Sequence, residues 1–128
     1  MIADTDFLID LARSNSNAVA KVEELIGRKE PLAITVITLF EMWQGAGKLK
    51  EREQKLLSGL IDRAMVIMLE SENARVAGLI QYGLRKKGMP LSPPDALIAG
   101  IVLDGTDTLL TRNVKDFSRV ANLKYETY

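Results

Sequence analysis

Four acids stand where a carboxylate could do chemistry: Asp4, Glu41, Asp95 and Asp116. Asp4 directly follows Met1 to Ala3, a short apolar run that reads as a buried strand. Glu41 comes just after the β-branched run Leu32 to Ile37. Asp116 follows Thr108 to Thr111 by a short loop. Asp95 lies in Ser92-Pro93-Pro94-Asp95, which reads as a helix start. Ser92 suits the cap and Pro93 the first helical position. Asp95 then falls third, where free N–H groups and the helix dipole favour an ionised carboxylate. The apolar Ala96 to Ala99 behind it predicts a buried helix.

Brought together, such acids repel. One pair at ~4 Å costs roughly 4 kcal/mol at an effective dielectric of ~20. The cluster is tolerable if it is protonated or holds a cation. The chain has no histidine and no cysteine. That excludes the usual general base, the Ser-His pair, thiolate metal sites and most zinc sites. All-oxygen donors select a hard divalent ion, Mg²⁺ or Mn²⁺. Such an ion can polarise a phosphodiester and lower the pKa of an attacking water. Gly45 and Ala99, one turn after Glu41 and Asp95, either leave room in front of the acids or simply suit tight helix packing.

Hydrophobic periodicity gives the elements that must position these residues. After the first strand, Leu8, Leu11 and Ala12 have helical spacing. Ser14 to Asn17 breaks the chain. Ala18, Val22, Leu25 and Ile26 stripe a second helix, with Lys21, Glu23, Glu24 and Arg28 toward water. Leu32 to Ile37 runs as a strand into a helix capped by Thr38, with Glu41 three residues on. Leu39, Met42, Trp43 and Ala46 form its inner face. A charged helix from about Lys50 to Arg63 turns Leu56, Leu57, Leu60 and Ile61 inward. Met65 to Leu69 is a third strand and Glu72 to Lys87 a long helix. The Asp95 helix stops near Gly105. Thr108 to Thr111 is a fourth strand, and Tyr125 to Tyr128 supplies an edge strand.

Strands that alternate with helices predict an α/β fold, a parallel sheet covered on both faces. Ligands of such sheets bind in the crevice beyond the strands' carboxyl ends. Three of the acids follow strands into that crevice, and Asp95 is placed there by inference. With 128 residues, 47% hydrophobic, and no linker or repeat, the expectation is a single domain over 1–128. No leader or membrane-length apolar run is visible, so a cytoplasmic protein is expected.

Four pieces in order resemble the PIN domain family, most closely the VapC-type toxin ribonucleases of toxin–antitoxin pairs. They are Asp4-Thr5-Asp6, Thr38 to Glu41, Pro94 to Ala99, and Thr111-Arg112-Asn113 with Asp116-Phe117. Each piece alone is weak; the set is specific and spans nearly the whole chain. The resemblance implies a three-layer α/β/α domain around a mostly parallel sheet of four to five strands. It implies a Mg²⁺- or Mn²⁺-dependent endoribonuclease whose acidic positions fall on Asp4, Glu41, Asp95 and Asp116. Thr111 and Asn113 match the polar loop that supports the fourth acid. The family often has Asn or Ser where this chain has Asp6. That leaves two roles for Asp6, helix cap or member of the cluster, of which capping is favoured. A homodimer and a VapB-type antitoxin that covers the active site are also implied.

RNA must be held without help from net charge, because 17 Lys and Arg balance 17 Asp and Glu. Arg112, Lys115 and Arg119 flank the expected site. Lys48, Lys50, Arg52 and Lys55, and Arg85 to Lys87, read more simply as solvated faces. Trp43 could stack on a base, but its place on the apolar stripe reads as core. Two other classes stay open at this point. A haloacid dehalogenase-type phosphatase could use Asp4-Thr5-Asp6, yet needs a later Lys, a second acidic pair and a cap domain. A binding-only PIN-like module would have lost catalysis, although all four acids are present.

Overall fold

Alternation along each strand sends successive side chains to opposite faces. Ala3 and Leu110 pack into one apolar core, with Phe7, Leu8, Leu25, Ile34 and Leu57. Their neighbours Ile2 and Leu109 pack into a second core, with Ile98, Ile101, Phe117 and Val120. A sheet so apolar on both sides must be covered on both sides. The computed structural model describes residues 1–128.

In chain order the elements are β1 (Ile2–Ala3), α1 (Thr5–Ala12), α2 (Ser16–Gly27), β2 (Ala33–Thr35) and α3 (Val36–Gly45). A 3₁₀ turn (Ala46–Lys48) leads to α4 (Glu51–Ile61), β3 (Met65–Ile67) and α5 (Ser71–Lys86). Then come α6 (Pro93–Gly105), β4 (Thr108–Leu110), α7 (Val114–Phe117) and β5 (Lys124–Glu126). The five strands form one sheet in the order β3-β2-β1-β4-β5. Every pairing is parallel, including the edge strand β5. Sequential strands run outward from β1 on one side, and the chain then returns to lay β4 on its other side. The strand order therefore reverses at β1, where open α/β sheets bind ligands.

α6 is held in the second core by close packing on α5. A Cβ on Gly100 would lie 2.4 Å from the Asn73 carbonyl oxygen and 2.9 Å from the Ala77 Cβ. Glycine is required there because the two helix backbones touch. That approach fixes the height of α6, and with it the position of Asp95 at its tip. No helix is long and apolar enough to cross a membrane.

Four expectations about faces need correcting, the first being Ile26, which is 71% exposed rather than part of the buried stripe of α2. Lys21 is buried rather than turned to water: its ammonium lies 3.0 Å from Glu24 and 2.9 Å from Glu126. Two carboxylates replace its hydration, so a lysine can sit on the inner edge of α2. Leu56 is 43% exposed. It lines a cavity of about 630 Å³ between α1, α2 and α4, with Leu8, Leu11, Val22 and Leu60. Trp43 is not core: it is 61% exposed. Met42 and Thr38 take the inner face of α3 instead.

Candidate active site

Asp4 is the first residue beyond β1, and its backbone N–H still bonds the Leu110 carbonyl of β4 at 3.0 Å. Its side chain is the N-cap of α1, accepting the Thr5 N–H at 2.7 Å through Oδ1. Its other oxygen accepts the Thr111 hydroxyl at 2.6 Å. Thr111 Oγ1 in turn accepts the Asn113 N–H at 3.0 Å. Thr111 and Asn113, expected to support the fourth acid, are engaged at Asp4 instead, Asn113 through its backbone. The cap role expected of Asp6 belongs to Asp4. The chain is already extended at Asp4, and Asp6 lies inside the first turn, exposed.

Glu41 arrives on a helix that starts earlier than expected. Thr35, not Thr38, caps α3: its hydroxyl accepts the Thr38 N–H at 3.0 Å. The two buried hydroxyls also meet at 3.0 Å. Thr38 thereby satisfies its own polar atom inside the helix, and the modest β preference of Val36 and Ile37 is overridden. Glu41 sits in the second turn, where its Oε2 accepts the Thr5 hydroxyl at 2.6 Å. Asp95 is the third residue of α6 as expected, its N–H bonded to Ser92 Oγ at 3.2 Å. Ser92 also donates its hydroxyl to Asp95 Oδ2 at 2.7 Å. Asp116 is the third residue of α7 and pairs with Arg119 at 3.1 Å.

Burial and crowding act on these acids together. Burial is the largest influence on Asp4 and lifts its pKa from an ordinary 3.8 to about 6. The Thr111 and Thr5 hydrogen bonds pull it down, and the charges of Asp95 and Asp6 push it up. Glu41 is raised, first by burial and then by Asp95 and Asp6, against the Thr5 bond. Asp95 is raised by burial, with Asp116 and Asp6 adding to it. At Asp95 burial outweighs the Ser92 bond, so its pKa is raised even though it stands at a helix tip. Every charged group that shifts Asp4, Glu41 or Asp95 is another carboxylate. Asp6, exposed as it is, acts on all three.

No three of the carboxylates converge closely enough to chelate an ion unaided. The donor set still suits Mg²⁺ or Mn²⁺. Such ions keep several waters and need only one or two direct carboxylates. Hydroxyls hold one oxygen of each acid, which leaves lone pairs for an ion or its waters. Gly45 does not make the room assigned to it, since a Cβ there would meet nothing within 4 Å.

The expected cations are partly spoken for. Arg112 Nη1 lies 2.8 Å from Asp10, and Arg119 holds Asp116. Lys115 is exposed. Three residues were missed from sequence. Thr5 had a signal, as a hydroxyl between two acids at a helix start. Asp10 lies one helical turn beyond Asp6 on an otherwise apolar helix. Tyr128, bonded to Asp10 at 3.0 Å, had none.

A family model for the PIN domain matches residues 1–123. The chain belongs to the PIN domain family. Among curated relatives of this PIN domain is the tRNA(fMet)-specific endonuclease VapC of Shigella flexneri. The two are 30% identical over 115 residues, 88% of this chain and 87% of the relative. Ribonuclease VapC2 of Rickettsia felis is 28% identical over 127 residues, 98% of this chain and 95% of the relative. Among solved structures, VapBC2 from Rickettsia felis bound to promoter DNA matches with a TM-score of 0.86 at 25% identity, over 99% of this chain and 97% of that one. DNA-bound VapBC from Salmonella typhimurium matches with a TM-score of 0.83 at 27% identity, over 98% and 96%. The three-layer α/β/α expectation holds, with five strands and all of them parallel.

Proposed function

We propose that this PIN domain is a Mg²⁺- or Mn²⁺-dependent endoribonuclease, a VapC-type toxin restrained by a VapB-type antitoxin. One observation carries the reading: Asp4, Glu41 and Asp95 are drawn toward the protonated state in a crevice where their charged neighbours are all acids. A divalent cation is the partner that this arrangement lacks, and it supports the nuclease activity named for the curated relatives.

Asp4, Glu41 and Asp95 would hold the ion, with Asp116 at the rim. When bound, the ion supplies positive charge for an attacking water and for the leaving oxygen. Thr111, Thr5 and Ser92 fix the three carboxylates in rotation, so that their free lone pairs face the crevice. Asp6 adds negative charge at the mouth. Asn113 keeps Thr111 in place. Arg112 and Lys115 offer positive charge to an RNA strand beside the acids.

The solved relatives from Rickettsia felis, Salmonella typhimurium and Haemophilus influenzae are VapBC assemblies. We read the same partnership onto this chain, with a cytoplasmic setting and a homodimer. Exposed Phe40 and Trp43 on α3, and Leu79 and Tyr82 on α5, are apolar surface in keeping with a second copy. The test is direct. Purified protein should cut RNA, stop with EDTA and resume with Mn²⁺. RNA left intact by active-site-competent protein at millimolar Mn²⁺ would sink the reading.

A further inference from the structure

Beside the acids lies a second constellation built around Asp10. Asp10 is a buried carboxylate on α1, one turn beyond Asp6. Its Oδ2 takes two donors: the Tyr128 hydroxyl at 3.0 Å and Arg112 Nη1 at 2.8 Å. The guanidinium also lies over the Tyr128 ring, 5.7 Å from its centre. That ring packs edge-on against fully buried Phe7, with centroids 4.8 Å apart. Arg112 is therefore held from below by an acid, an aromatic face and the core.

Its place in the chain ties this support to the crevice. Arg112 stands between Thr111, which grips Asp4, and Asn113, which grips Thr111. Its side chain is still 47% exposed, and one nitrogen meets Asp10. The remaining N–H donors form a planar fork of the kind that fits phosphate oxygens. A crevice of carboxylates repels a polyanion, so a cation fixed at its edge has work that a mobile lysine does less well. Burial and the Asp10 carboxylate push the Tyr128 phenol above its usual range, which keeps it a donor.

We infer that Asp10 and Tyr128 are positioning residues that hold the Arg112 guanidinium at the rim of the crevice as an anchor for a backbone phosphate of the substrate strand. This rests on the ribonuclease reading for its substrate, and adds a built phosphate site to it. Asp10 orients the fork, Tyr128 shares the same oxygen and supports the plane, and Arg112 alone touches the strand. Losing Arg112 would leave a buried carboxylate without its cation, so the three act as one unit.

The experiment compares wild type with Arg112→Lys, Arg112→Ala, Tyr128→Phe and the Arg112→Ala, Tyr128→Phe double variant. The probe is a short fluorophore-labelled single-stranded RNA. KM, kcat and their salt dependence are read in Mn²⁺, with melting temperature as a control for folding. Arg112→Ala should raise KM about tenfold with a smaller change in kcat. It should also flatten the log KM against log salt slope by about 0.7, the value for one phosphate contact on a single strand. Arg112→Lys should restore part of the salt slope but not the full affinity. Tyr128→Phe keeps the ring and removes the hydroxyl. It should raise KM about two- to threefold with only a small fall in melting temperature, as expected for one charge-assisted hydrogen bond lost from behind Arg112. The double variant should be no worse than Arg112→Ala. Wild-type KM and salt slope in Arg112→Ala would overturn the anchor and leave the nuclease reading standing. Additive losses in the double variant would overturn the clamp. If wild type cuts no RNA, the nuclease reading fails first. Anisotropy of the same RNA in EDTA then decides the anchor: equal affinity of wild type and Arg112→Ala overturns it, and weaker binding by the variant upholds it.

Discussion

Two groups of charges in this molecule are built on opposite plans. Between α2 and β5, Lys21 and Arg28 interleave with Glu24, Glu30 and Glu126, at 2.6 to 3.2 Å. There the cations hold Glu24 and Glu126 below the ordinary carboxylate range. In the crevice beyond β1 and β4, Asp4, Glu41 and Asp95 are all raised, and no cation acts on them. One group is complete as folded and serves to tie an edge strand to a helix. The other holds acids beside acids, and under the proposed function a divalent ion would balance them. Direction of shift thus separates a structural ion network from a site better than acid content does.

The contrast can be broken or sharpened by experiment, from the largest expected effect down. Asp4→Asn or Asp95→Asn should abolish RNA cleavage, a loss well beyond ~100-fold, with the fold intact by circular dichroism. Cleavage at the wild-type rate would remove that residue from the site. Thr111→Val should cost less, about 10- to 100-fold, because it frees Asp4 to turn without removing a ligand.

The metal-free protein should carry the signature of Asp4 in its pH dependence. Its folded pKa of about 6 exceeds the ordinary 3.8, so the folded state binds the extra proton. The stability linked to that proton is complete below the ordinary value and is lost as pH rises through about 6. Asp4→Asn should therefore gain roughly 1–3 kcal/mol at pH 7 and lose this slope in urea melts. An unchanged slope would place the titration elsewhere. Added Mn²⁺ should act in the same direction on wild type, by about 2.7 kcal/mol at a hundredfold excess over its Kd. A melting curve indifferent to millimolar Mn²⁺ would count against the site. Glu126→Gln, in the balanced network, should cost about 1–3 kcal/mol, because it takes one of two carboxylates from buried Lys21, and leave cleavage untouched.

Sequence served unevenly in this molecule, for physical reasons. The parallel sheet was legible because alternation of strand and helix leaves little choice of topology. The tip of α6 was legible because Ser92, Pro93 and Asp95 each fit one position of a helix start. The start of α3 was not: Thr35 and Thr38 are both plausible caps, and only the buried pairing of their hydroxyls decides between them. Trp43 failed because a one-residue error of register on a helix turns a side chain by about 100°, which moves it from core to surface. Lys21 failed because its neutralising partner Glu126 is 105 residues away. The acids themselves were visible one by one. Of their supporting hydroxyls, Thr5 was not expected and Thr111 was expected at the fourth acid, since Thr5 reaches across 36 residues to Glu41 and Thr111 across 107 to Asp4.

That last span has a consequence for how the molecule is made. Asp4 is synthesised almost first and Thr111 almost last, and β1 cannot take its place in mid-sheet until β4 lies beside it. A nascent chain still missing its final fifth has Asp4, Glu41 and Asp95, but neither Asp116 nor the strand β4 that completes the sheet beside β1. Under the proposed function, cleavage would thereby be deferred to the end of translation by topology alone.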